Sequence, residues 1–158
     1  MEELDAYRHG LVSALEGVVS ELSKIVAGVP SNAWQHSMGR EAHTPHYLLA
    51  HLLELETQIF GFQLQRILEE DTPLLPPFDD KTWMTGPYDP GKPAEVMLEE
   101  FSHLRKQQVH WLEDLPPEVW SRTARHPCWG VHTLQWWVEL QLDYSIQHLK
   151  QLAAYPGM

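Results

Sequence analysis

The chain has 158 residues, 43% of them hydrophobic and 21% charged, with a formal net charge of −11. That length suits one domain with a buried core, so residues 1–158 are read as a single domain. With 22 acidic against 11 basic side chains, no Lys/Arg cluster is available to displace counterions from phosphates, which excludes nucleic acid and argues equally against an anionic membrane surface. Cys128 is the only cysteine, so an intrachain disulfide is excluded, and with no basic cluster beside it the thiol is read as a packed or loop cysteine rather than a reactive one. The acidic start Met1-Glu2-Glu3-Leu4-Asp5 lacks a leader pattern and no apolar run reaches the ~18 residues of a membrane span, so a cytoplasmic location is expected.

In chain order, Leu4, Leu11, Leu15, Val18, Leu22 and Ile25 paint one stripe of a first helix that Gly28 and Pro30 stop. Residues 31–43 carry Gly39 and few aliphatic side chains and read as a loop, with Trp34 plugging the bundle end. Thr44 as N-cap and Pro45 at the first helical position open a second helix, with Leu48, Leu52, Leu55, Ile59 and Phe62 as its buried stripe, ending near Glu70. Prolines 73, 76, 77, 87 and 90 forbid regular structure across 71–92, a stretch too long for a tight turn and suited to a crossover. A third helix starts at Pro93 and spaces Met97, Phe101, Leu104, Gln108, Trp111 and Leu115 like a heptad, until Pro116 and Pro117 end it. Residues 118–122 read as a short helical turn and 126–132 as a loop. Thr133 then N-caps a fourth helix that runs to about Tyr155. With no strand-like alternation, the class is all-α and the architecture a four-helix bundle.

The fourth helix carries the chemistry. After Leu134, Trp137 and Val138, its inward stripe continues through Gln141, Tyr144, Ser145 and His148, where burying an unpaired polar group costs roughly 1–3 kcal/mol. Such a stripe lines a cavity or coordinates something. His51, beside the apolar stripe of the second helix, is the facing partner, with Glu54 at i+3. Two imidazoles with Glu54, or with the Tyr144 phenol, make a three-ligand site with an open position. Imidazole suits nickel, zinc or iron, and a carboxylate shifts preference toward iron or manganese. The bland alternative is a pair of core histidines bonded to Tyr144, Gln141 or water. His43, His46, His9, His36, His103, His110, His126 and His132 show no metal-ligand spacing. Trp83, Trp129, Trp136 and Trp137 are read as core, with a ligand pocket or dimer face as the minority reading.

Thr44-Pro45 followed by Leu49-Ala50-His51-Leu52, then Leu115-Pro116-Pro117-Glu118, His126-Pro127, Gly130, Thr133-Leu134 and His148-Leu149-Lys150-Gln151-Leu152, together resemble the DinB/YfiT-like superfamily of four-helix-bundle metalloenzymes. The resemblance covers nearly the whole chain. It implies an up-down-down-up bundle with a long crossover between helices two and three, and a divalent metal, often nickel or zinc, on three histidines. His51 matches the first ligand and His148 the last, while Tyr144 stands where the middle one belongs. Members act as thiol-dependent transferases, and dimers are frequent, so a small-molecule or thiol substrate and a homodimer are expected. Two readings follow. One is a metal-dependent transferase or hydrolase on His51 and His148, with Tyr144, Glu54 or Gln141 completing the pocket. The other is a metal-free small-molecule-binding or interaction bundle with a degenerate site and no cofactor.

Overall fold

The computed structural model describes residues 2–36, 43–77 and 87–154. Gly39, Trp83 and the last turn toward Tyr155 lie outside them. Helix α1, Glu2–Gly28, ends where its glycine–proline signal predicts. Leu11, Leu15, Val18 and Leu22 are buried, whereas Leu4 is exposed and Val26 replaces Ile25 on the core face.

The second bundle helix has three parts: α2 (Pro45–Glu54), a π-helical segment (Leu55–Phe60) and α3 (Gly61–Glu69). Thr44 caps it as predicted, its hydroxyl accepting from the Tyr47 amide at 3.1 Å. The predicted stripe fails beyond Leu55. Glu56, Phe60, Gln63, Leu64 and Ile67 are buried, Ile59 is only partly so, and Phe62 is 45% exposed. The π segment is the cause, because its wider turn absorbs an extra residue and keeps Leu48, Leu52, Glu56, Phe60 and Leu64 on one face. Gly61 permits it: a Cβ there would stand 2.8 Å from the Glu56 carbonyl oxygen and 3.2 Å from Gln108 Nε2.

Helix α4, Ala94–Glu113, buries Met97, Phe101, Arg105, Gln108, Val109 and Leu112. The heptad reading holds at Met97, Phe101 and Gln108 and is off by one at Leu104 and Trp111, where Arg105 and Leu112 take the core positions. A 3-10 turn, Pro117–Ser121, leads to β1 (Thr123–His126) and β2 (Gly130–Thr133), an antiparallel hairpin pairing Thr123 with Thr133 and His126 with Gly130. The sequence reading made this a loop, because four-residue strands carrying Arg125 and His132 are too short and polar to show alternation. Gly130, at φ +80°, supplies the left-handed conformation the turn needs. The Leu75 amide bonds the Arg125 carbonyl at 2.8 Å, so the start of the crossover lies along β1. Helix α5, Leu134–Ala153, is capped by Thr133 as predicted.

Two apolar clusters fix the topology. One joins Leu11 and Leu15 of α1, Leu64 and Ile67 of α3, Val109 and Leu112 of α4, and Leu134 and Val138 of α5. The other joins Val18 and Leu22, Leu48 and Leu52, Met97 and Phe101, and Leu152. The second bundle helix and α4 thus run parallel to each other and opposite to α1 and α5. That is the up-down-down-up bundle, and the crossover must return the length of the molecule. Among the described residues no helix is long and apolar enough to cross a membrane.

Candidate metal centre

The start of α2 and the end of α5 meet at one end of the bundle, which brings His51 and His148 together. Their ring centroids are 5.1 Å apart with planes at 47°, and both side chains are buried, at 4% and 6% exposed. His148 Nδ1 lies 2.7 Å from the Tyr144 carbonyl oxygen. A carbonyl only accepts, so Nδ1 carries the hydrogen and Nε2 keeps its lone pair. Burial lowers the His148 pKa, with the bond to the Tyr144 carbonyl opposing in part, so the ring is neutral near pH 7. A fixed tautomer and an unprotonated second nitrogen are what an imidazole ligand requires.

The spacing can be tested against an ion. With metal–nitrogen bonds of about 2.1 Å, two imidazoles on one tetrahedral ion stand with centroids roughly 5 Å apart, and the observed separation agrees. The pair therefore fits a shared metal as two of its ligands.

The remaining sequence candidates are placed differently. The half-buried Tyr144 has its ring 6.4 Å from that of His148, and 5.7 Å from that of Phe60, which the π segment turns inward. Glu54 lines a groove of about 460 Å³ between helix two and the crossover, with Leu53, Tyr88, Asp89 and Glu100. Gln141 is also committed elsewhere: its Nε2 donates to Glu56 Oε1 at 2.9 Å and to Gln108 Oε1. Ser145 accepts from Arg105 Nη2 at 2.8 Å. Half of the polar stripe on α5 thus serves a buried network rather than a cavity. Among the described residues, no three His, Cys, Asp or Glu side chains gather into a metal-binding group.

Sequence reasoning missed Glu56 and Arg105, the charged centre of that network, each 1% exposed. The signal was present in the unmatched polar positions Gln108, Gln141 and Ser145, which demand partners. The other histidines stay outside the site. His46 is held between the Tyr88 hydroxyl and the Lys92 carbonyl, both at 2.6 Å. His126 stacks on Trp129 and accepts the amides of Cys128 and Trp129, while His132 stacks on Trp136. These contacts, with Trp137, close the hairpin onto α5. Cys128 is exposed in the hairpin turn, the loop placement of the two expected.

A model of the DinB superfamily matches residues 14–152. The chain belongs to the DinB superfamily. Over 84 residues it is 30% identical to a candidate metal-dependent hydrolase of Oceanobacillus iheyensis, a match covering 53% of this chain and 48% of the relative. The chain thus spans about half the length of that curated relative. Its fold also matches YfiT of Bacillus subtilis, described as a probable metal-dependent hydrolase with an unusual four-helix bundle topology. The TM-score is 0.80, with 19% identity, 92% of this chain covered and 85% of the other. At that identity the likeness to YfiT speaks for the four-helix fold alone.

Proposed function

We propose that this DinB-superfamily chain is a divalent-metal-dependent enzyme of the hydrolase type, with His51 and His148 as the protein ligands of the ion. The observation that carries this reading is the buried pair of rings 5.1 Å apart, with His148 Nδ1 tied to a backbone carbonyl. The metal-dependent hydrolase description of the Oceanobacillus relative supports the reaction class over thiol transfer. When bound, nickel, zinc, iron or manganese supplies Lewis acidity and acidifies water or a thiol at an open position. The chain's own residues do the rest. His148 offers Nε2 without first losing a proton, and the apolar wall of Leu48, Leu52 and Leu152 limits water at this end of the bundle. Tyr144, its ring 6.4 Å from that of His148, offers a phenolic O–H donor to the substrate. A homodimer belongs to the same proposal, and light scattering would give twice the 18.3 kDa chain mass.

A second reading, a metal-free binding bundle, is favoured by one observation: Tyr144 occupies the place of a third ligand. Elemental analysis of protein purified without an affinity tag separates the two. The metal reading predicts about one ion per chain after growth with nickel, zinc, iron or manganese, reduced in His51→Ala and His148→Ala. Absence of metal under every supplement would establish the second reading.

A further inference from the structure

Between the two apolar clusters lies a charged layer that the metal pair does not use. Arg105 donates through Nε to Glu56 Oε2, through Nη1 to the Leu15 carbonyl at 2.9 Å and through Nη2 to Ser145 Oγ at 2.8 Å. Its guanidinium also lies over the Phe101 ring. One side chain of α4 thereby grips α1, the second bundle helix and α5. The other carboxylate oxygen of Glu56 accepts from Gln141, so α5 is held at both Gln141 and Ser145.

Stability alone is a weak reason for this arrangement. Replacing a buried ion pair with apolar side chains of similar volume is often neutral or stabilising. The chain nevertheless carries a π segment and a glycine at position 61 to turn Glu56 inward. Geometry supplies a better reason. Glu56 is five residues past His51 on one continuous helix, and Ser145 is three before His148 on another. With a side-chain tip about 5–6 Å from its helix axis, a ten-degree rotation of α5 displaces the tip by about 1 Å. That is enough to spoil a shared ligand position. Apolar packing tolerates such rotations, whereas directional hydrogen bonds to two points of α5 resist them.

We propose that Glu56 and Arg105, acting through Gln141 and Ser145, are positioning residues that fix the rotation of α5 against the second bundle helix and so hold Tyr144 and His148 opposite His51. The consequence for metal affinity rests on the metal reading above; the geometric consequence does not. The test uses Ser145→Ala, Gln141→Met and the apolar double variant Glu56→Leu/Arg105→Met. Each is compared with the unaltered chain by thermal unfolding, by the nuclear Overhauser contact between the imidazole C–H protons of His51 and His148 in metal-free protein, and by Co²⁺ titration. The expected result is a lost or weakened ring-to-ring contact and Co²⁺ affinity reduced about tenfold or more, the range for residues that orient metal ligands, in variants that unfold at close to the original temperature. An unchanged ring contact in the folded variants would overturn the proposal. If the unaltered chain takes up no Co²⁺, the metal reading fails and the ring contact alone decides: present and then lost in the variants supports positioning, absent from the start refutes it. Should the double variant not fold, the two single α5 variants decide between these outcomes, since both leave the ion pair intact.

Discussion

Position 144 is the residue on which the chemistry of this chain turns. A histidine there would stand one helical turn before His148 on the same side of α5, in position to join the His51–His148 pair. Tyr144→His is accordingly predicted to raise Co²⁺ or Ni²⁺ affinity roughly tenfold or more in a competition titration, by adding a third imidazole to the shell. No gain would mean that the 144 side chain does not reach the pair. Titration of His148 sets a second expectation. Its folded pKa is lowered, chiefly by burial, and so is that of His126. Both are neutral in the folded and unfolded chain above the usual histidine value of about 6.5. Below it the unfolded chain takes up protons that the folded chain resists, so stability present at pH 7 is lost as pH falls through the lowered folded values. The unfolding temperature should fall between pH 7 and pH 5, and His126→Gln should flatten that slope. A flat profile in the unaltered chain would show that neither ring is held neutral by burial.

At the scale of elements, the bundle was legible wherever local chemistry decides. Thr44 and Thr133 cap helices because a hydroxyl before an apolar run satisfies an orphan amide, and each does so here. Thr133→Ala should cost about 1 kcal/mol in a urea titration, the usual loss for a side-chain N-cap. The second bundle helix was legible to its end near Glu70, but its buried stripe only to Leu55. A 3.6-residue period assigns Ile59 and Phe62 to the core, and nothing local announces that the turn will widen, since Leu55–Phe60 is an ordinary helix-forming sequence. Gly61 was the trace left behind. Its φ of −63° is ordinary helix, where alanine would normally gain up to ~1 kcal/mol, yet a Cβ at this position meets the Glu56 carbonyl. Gly61→Ala is therefore predicted to destabilise the chain by about 1–3 kcal/mol, as overpacking does, against the helix-propensity trend. A stabilised variant would show that the widened turn is not required. The hairpin was hidden for a different reason: its strands are held by Trp129, Trp136 and Trp137 stacking on His126 and His132, and these contacts join residues that no short window sees together.

Over the whole molecule, the long proline-rich crossover and the four stripes were enough to specify a four-helix bundle with one long connection, while its direction of travel, and with it the meeting of the second and last bundle helices at one end, came from the resemblance to the DinB/YfiT-like superfamily. His51 and His148 could be paired from sequence because each lies near an end of its helix and the topology puts those ends together. Gln141 misled, because an inward glutamine near an inward histidine reads as one pocket, whereas its side chain bonds Glu56 and Gln108 in a buried polar hub and the histidine pair lies toward the end of the bundle. Arg105 and Glu56 were individually invisible, since each looks like a surface charge until the partner is found across four helices.

The account depends most on the two imidazoles sharing one ion, and paramagnetic NMR of the Co²⁺-loaded protein reads this directly. Two strongly shifted imidazole N–H resonances are predicted. The signal from His148 should be slow to exchange because its Nδ1–H is bonded to the Tyr144 carbonyl, and one signal should vanish in His51→Ala and the other in His148→Ala. Shifted resonances that survive both substitutions, or none at any Co²⁺ concentration, would contradict it.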